Sequence, residues 1–382
     1  MTTPQNLDRF SRGEEIGVDV ASIEREFAAL WRAAGQTDER APERKPVTRA
    51  CLANLVTWVE EESTVPRVKE AFDTLVLSVP ARVLVLRPEA SAPGQKEFES
   101  WISANCILAP GGGKLVCSEE VTLVARGRGV EHFGPVVRAL LVPNVPTMIY
   151  AADAPQRAFA ALQPLLKLCD RLIVDTAEVV QGGQLKAISR LIPNAPSTVD
   201  LGWLTLASFR TTLASVFDTD EAVNALKTLS EVRLFAPKAR MANRLLFLGW
   251  LSERLGWGPP KRCSTSEAVA RGLPAQGSAL LTVEAPHGPV FLRIDQVVPD
   301  EVEPQAPTIL ELVTKSGLVK LTRGRGAMLT VESFGQPPRV VALDPPSLGE
   351  RIARGMGPRA RDPIFDRAWP RALAMWEAVE RP

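Results

Sequence analysis

Apolar residues recur at spacings of three and four at Val20, Ile23, Phe27 and Leu30, with Glu24, Arg25 and Glu26 on the other side. That period predicts a helix over residues 16–34, stopped at Gly35. Residues 36–46 are polar, charged and Pro-containing, and read as a linker. From Thr48 the pattern changes. Short apolar runs at 52–59, 82–86, 115–125, 147–151 and 172–175 read as strands. Amphipathic stretches at 65–77, 130–141, 155–168 and 184–191 read as helices between or after them. Strands alternating with helices predict an α/β layer with a mixed, partly parallel sheet and flanking helices. The run at 172–174 is apolar without alternation, as in a strand covered on both faces.

The middle of the chain is helical. Leu206, Phe209, Leu213 and Phe217 mark one helix face. Residues 238–255 are apolar nearly all round and predict a buried helix, ended by Gly256 with Pro259 and Pro260 beyond. Then come short runs at 279–283, 290–294, 308–314, 318–321, 327–331 and 339–343, divided by Gly, Pro and Asp turns. Hairpin turns are expected at 315–317 and 323–326. No helical pattern separates most of these runs, so an antiparallel sheet is expected, closed by an amphipathic helix over 363–379. The expected organisation is residues 1–46 as tail, helix and linker, 47–182 as an α/β domain, and 183–382 as a helical segment plus an antiparallel-sheet α+β domain. A chain of 382 residues suits two domains at about 150 residues each.

Composition changes the picture mainly by exclusion. Forty-five basic and 44 acidic residues balance to +1, which argues against a broad nucleic-acid footprint. No run approaches the roughly 18 apolar residues of a bilayer span, and the polar start predicts no secretory signal. Five scattered cysteines without a CxxC fit reduced thiols, so a cytoplasmic location is expected. Only two histidines, His132 and His287, and one tyrosine, Tyr150, thin the usual acid–base repertoire.

Tests for catalytic motifs fail one after another. PGGGKL at 110–115 has no glycine where a phosphate loop needs its first one, and Leu115 where it needs a hydroxyl. It reads as a turn before a strand. No HExxH, clustered zinc ligand set, GxSxG or GxGxxG occurs. No metal or cofactor is therefore expected. Glu60, Glu61 and Glu62 after the first strand read either as a solvated loop or as a site for a cation or basic partner. Asp175 ends an apolar strand, where open α/β sheets bind ligands, but an aspartate there also caps helices. Cys106 and Cys117 flank the glycine turn. Pairing of the flanking strands would bring them together, whereas a reducing compartment favours two thiols.

Several stretches together resemble the glucose-6-phosphate dehydrogenase assembly protein (OpcA) family. They are IEREF at 23–27, RACLANLV at 49–56, PARVLVL at 80–86, PNVP at 143–146, CDRLIVDT at 169–176 and DLGW at 200–203. Arg210, Leu213, Phe217 and Asp218 follow, then GWLSERLGW at 249–257. The chain departs from the family pattern at Val79, Ile149, Tyr150 and Phe209. The resemblance implies Arg171, Asp175, Asp200, Trp203, Arg210, Trp250, Arg254 and Trp257 as structural or partner-binding positions. It supplies no catalytic residue. Some family members are redox-responsive, which implies a possible redox role for Cys106 and Cys117.

The function expected from this resemblance is a non-catalytic assembly factor that binds glucose-6-phosphate dehydrogenase and favours its active oligomer. Two alternatives stand beside it. One is a sugar-phosphate-binding or enzymatic α/β protein with a site near Asp175. The other is an interaction module for a different protein partner.

Overall fold

The computed structural model describes residues 10–12, 15–35, 47–108, 115–153, 159–179, 182–237, 241–272, 278–297, 309–323, 327–358 and 361–380. The chain divides into two units, neither contiguous in sequence. One comprises Met1–Asp175, Lys186–Asp200 and Pro346–Ala360. The other comprises Thr176–Leu185, Leu201–Pro345 and Arg361–Pro382.

The core of the first unit is a run of parallel strands. In space they lie in the order Leu115–Arg126, Ala81–Glu89, Ala53–Trp58, Thr147–Ala151, Arg171–Val174, Thr198–Asp200. Counted along the chain that order is third, second, first, fourth, fifth, sixth, the doubly wound arrangement of dinucleotide-binding sheets. Ala53–Trp58 is buried along its whole length, as a central strand covered on both faces must be. Phe98–Leu108 adds an antiparallel strand beside Leu115–Arg126 and was not foreseen from sequence. It in turn pairs with Ile16–Val18.

That pairing corrects the first predicted helix, which begins at Ile23 rather than at residue 16. The Ser100 hydroxyl donates to the Val18 carbonyl at 2.6 Å, and the Asp19 carboxylate accepts from the Ala21 N–H, starting the helical turn. The Ile23–Gly35 helix is held to the sheet by ionic contacts around Glu119. Arg82 and Glu119, each about 3% exposed at the side chain, pair at 2.5 Å. Arg49 joins at 2.8 Å, the Trp31 indole N–H donates to Glu119 at 2.7 Å, and Glu24 also pairs with Arg82.

In the second unit eight strands form one sheet. Their order is Lys261–Arg262, Ser278–Ala285, Gly288–Val297, Glu231–Pro237, Ile309–Thr314, Gly317–Arg323, Met328–Ser333, Arg339–Ala342. Every pairing is antiparallel except one: Glu231–Pro237 runs parallel to Gly288–Val297. The wholly antiparallel expectation is corrected at this point. Glu231–Pro237 lies between helical segments in sequence, and a long connection from residue 237 to residue 288 makes the parallel return possible.

The helix predicted to be buried is Met241–Arg254, and residues 242–252 are indeed buried. Gly256 ends it at φ 64°, while the Trp257 N–H reaches back to the Ser252 carbonyl at 3.0 Å. That is the six-to-one bond of a left-handed helix stop. Gly249 allows this helix to approach Pro363–Glu380: a Cβ there would lie 2.6 Å from the Ala368 carbonyl oxygen. The expected linker at 36–46, the glycine turn at 110–114 and the turn glycines Gly324 and Gly326 lie outside the described residues.

Candidate functional site

Doubly wound sheets bind ligands where the strand order reverses, at the carboxyl ends of the strands. Here that point lies between Ala53–Trp58 and Thr147–Ala151. Asp153, just past the second of these strands, bridges it. Its carboxylate accepts from the Glu60 and Glu61 backbone N–H groups, both at 2.9 Å, and from the Thr64 hydroxyl at 2.6 Å. Amides that would face a pyrophosphate are thus already bonded to a carboxylate. The turn also carries Glu60, Glu61 and Glu62, has no glycine, and puts Pro66 in the first turn of the Val65–Leu75 helix. Like charge, lost donors and side-chain bulk all oppose a dinucleotide here. The residues present do not fit that cofactor.

Asp175 sits at a neighbouring strand end and is 4% exposed. Arg351 approaches its carboxylate at 3.4 Å and Arg67 at 3.9 Å. Arg351 is delivered by the Leu348–Met356 helix, which opens on a reciprocal cap between Ser347 and Glu350. Gly349 lets this helix settle on Val65–Leu75, since a Cβ there would meet the Ala71 carbonyl oxygen. Asp175 is therefore part of a buried ion-pair cluster. Arg171 is structural as well: one guanidinium nitrogen donates to the Gly355 and Gly357 carbonyls, each at 2.6 Å. Burial lowers its pKa. Asp200 is fully buried at the end of its strand.

The remaining motif residues converge in the second unit. Trp203 donates its indole N–H to Asp362 at 2.7 Å, and the Arg210 guanidinium lies over the Trp203 ring, 3.1 Å from its centroid. Asp362 also accepts from the Ile364 N–H at 2.9 Å, which fixes the start of Pro363–Glu380. Beside this group opens a cavity of about 440 Å3. Leu213, Phe217, Trp250, Leu251 and Leu312 make it apolar, and Arg210 and Arg254 bring positive charge. Among the described residues no aspartate or glutamate lines it. Arg254 is 45% exposed and contacts Glu253 at 3.6 Å. Of the predicted residues, Arg210, Trp250 and Arg254 line the cavity and Trp203 supports it. Trp257 is buried and lines none of it. Leu226, Leu312 and Ile364 also contribute, from distant segments that no local sequence signal connects.

Cys106 and Cys117 oppose each other across two paired strands, with Cα atoms 4.0 Å apart. They are joined by a disulfide of S–S length 1.95 Å, where the sequence-based expectation of a reducing compartment favours two thiols. Cys51, Cys169 and Cys263 are free.

Comparison with known families bears on the whole of this arrangement. Residues 73–191 match the family described as the glucose-6-phosphate dehydrogenase subunit N-terminal domain, and residues 196–369 its C-terminal domain. The chain belongs to the OpcA family. A Synechocystis sp. protein provisionally named as the OxPP cycle protein OpcA is 29% identical over 189 residues, covering 49% of this chain and 39% of that protein. A Nostoc punctiforme protein of the same name is 29% identical over 190 residues, covering 49% and 40%. The matched stretch is thus about two fifths of the length of these relatives.

Among solved structures, an oxidoreductase from Sinorhizobium meliloti is similar at TM-score 0.47 and 12% identity, covering 86% of this chain and 96% of that one. Levoglucosan dehydrogenase in its apo form is similar at TM-score 0.46 and 10% identity, covering 86% and 97%. Likeness of this degree carries no argument about activity. Among the described residues no helix is long and apolar enough to cross a membrane, and no group of three or more His, Cys, Asp or Glu is placed to hold a metal ion.

Proposed function

We propose that the chain is a non-catalytic partner protein that binds glucose-6-phosphate dehydrogenase and favours its active oligomer. The observation that carries this reading is the paired match to both subunit domains, over residues 73–191 and 196–369. The bridged switch point supports it from the other side, because the place where a doubly wound enzyme holds its dinucleotide is filled by Asp153 and its donors. Such a partner acts by mass action: it binds the assembled form more tightly than loose subunits, and the equilibrium moves by that difference.

The cavity of the second unit is the proposed docking point. Its apolar wall with Trp250, Arg210 and Arg254 fits a partner segment presenting an apolar side chain beside a carboxylate. Arg254→Glu places a negative charge at a half-exposed position and leaves the core untouched. It should weaken binding to the dehydrogenase at least ~10-fold, on the scale of a like-charge contact at an interface. Titration calorimetry with the dehydrogenase of the same cell reads this. Unchanged affinity would remove the cavity from the interface. Absence of binding by the unmodified chain would remove the function.

A further inference from the structure

One face of the eight-stranded sheet packs inward through Val232, Leu234, Leu310, Leu312, Val319, Leu321, Leu329 and Val331, all buried. The alternate residues point the other way and are half-buried or exposed. An outer face of an antiparallel sheet is ordinarily polar. This one is not. Leu318, Met328 and Val340 are 42%, 38% and 58% exposed, and they fall on three neighbouring strands.

Charge on this face is ordered as well. Arg233 lies opposite Glu311, Glu311 opposite Lys320, and Lys320 opposite Glu332. One row across four strands therefore reads plus, minus, plus, minus. Arg233 contacts Glu311 at 3.5 Å and Lys320 contacts Glu311 at 3.7 Å, so the row is held in place within the chain. The neighbouring row places Val313 opposite Leu318.

We propose that this face binds a second copy of the chain, sheet against sheet, about a two-fold axis. The axis runs parallel to the strands, between Ile309–Thr314 and Gly317–Arg323. Rotation about it reverses the row, and plus–minus–plus–minus reversed is minus–plus–minus–plus. Arg233 of one copy then meets Glu332 of the other, and Glu311 meets Lys320, each pair occurring twice. Val313 meets Leu318 in the same way. A two-fold contact requires such a self-complementary patch, and aligned sheets pack face to face at about 10 Å.

Sedimentation velocity on the full chain alone, over a concentration series, tests this without the dehydrogenase. Its outcome is thus separate from that of the proposed function. The mass should rise from 41.5 kDa towards twice that value. Lys320→Glu turns two favourable contacts into two repulsive ones by symmetry and should weaken the dimer at least ~10-fold. The exchange Glu311→Lys with Lys320→Glu restores opposite charge at every contact between the copies and should bring the dimer back. Leu318→Asn, at an exposed position that does not threaten folding, should weaken it without altering charge. A chain monomeric up to its solubility limit overturns the proposal. So does a dimer indifferent to Lys320→Glu, or an exchange variant as dissociated as the single one. Loss of dehydrogenase binding by Lys320→Glu in a monomeric chain would give the face to that partner instead.

Discussion

Arg244 is a guanidinium in the core of the second unit, 2% exposed, on the otherwise apolar Met241–Arg254 helix. Among the described residues neither of its terminal nitrogens has a hydrogen-bond partner, and burial lowers its pKa to about 10. An unpaired buried charge is a net cost, and an apolar side chain of similar volume in place of a buried ion commonly stabilises by about 1–4 kcal/mol. Arg244→Met should accordingly raise the urea midpoint, with an unchanged slope. A lower midpoint would show that the guanidinium has an anionic partner in solution. Cys169 carries the opposite sign of argument. Burial pushes its thiol from 9.0 up to about 11, so the unfolded chain ionises first. The stability this provides is complete below pH 9.0 and is lost as pH rises towards 11. Cys169→Ala should flatten that part of the stability profile, measured by urea unfolding on either side of the lower value.

At the scale of elements, the Met241–Arg254 helix was legible because its pattern is apolar on every side and its stop is a glycine. Its partner was not: nothing local to Gly249 announces that Ala368 and Ala372 will press against it. Gly249→Ala would put a Cβ 2.6 Å from a backbone oxygen, and overpacking of this kind costs about 1–3 kcal/mol. A lowered thermal midpoint is expected; no change would mean the helices separate freely. Several strands escape sequence reading, Phe98–Leu108 and Glu231–Pro237 the longest of them. In Phe98–Leu108 the buried positions include Ser100, Ser103 and Asn105, so its apolar signal is diluted. Glu231–Pro237 lies between helical segments in sequence, and only its central place in the sheet gives it away. Ile16–Val18 reads as helix from sequence because three residues hold too little periodicity to resist the pattern that follows.

For the whole molecule, motif order along the chain led to the family, while the site needed the fold. Trp203, Arg210, Trp250 and Arg254 were named singly from sequence and gather around one cavity, but Arg171, Asp175 and Asp200 belong to the first unit and are buried there. A linear reading also could not anticipate that residues 346–360 return to the first unit and bring Arg351 to Asp175. The strand-end aspartate that suggested a ligand site is thereby tied into an ion-pair cluster. The central claim is that this chain binds glucose-6-phosphate dehydrogenase and favours its assembled form. Mass photometry of the dehydrogenase from the same cell, alone and with the chain, tests it most directly. The account predicts a shift from small to larger dehydrogenase species whose added mass includes the chain. Two unshifted populations, each at the mass it has alone, would contradict it.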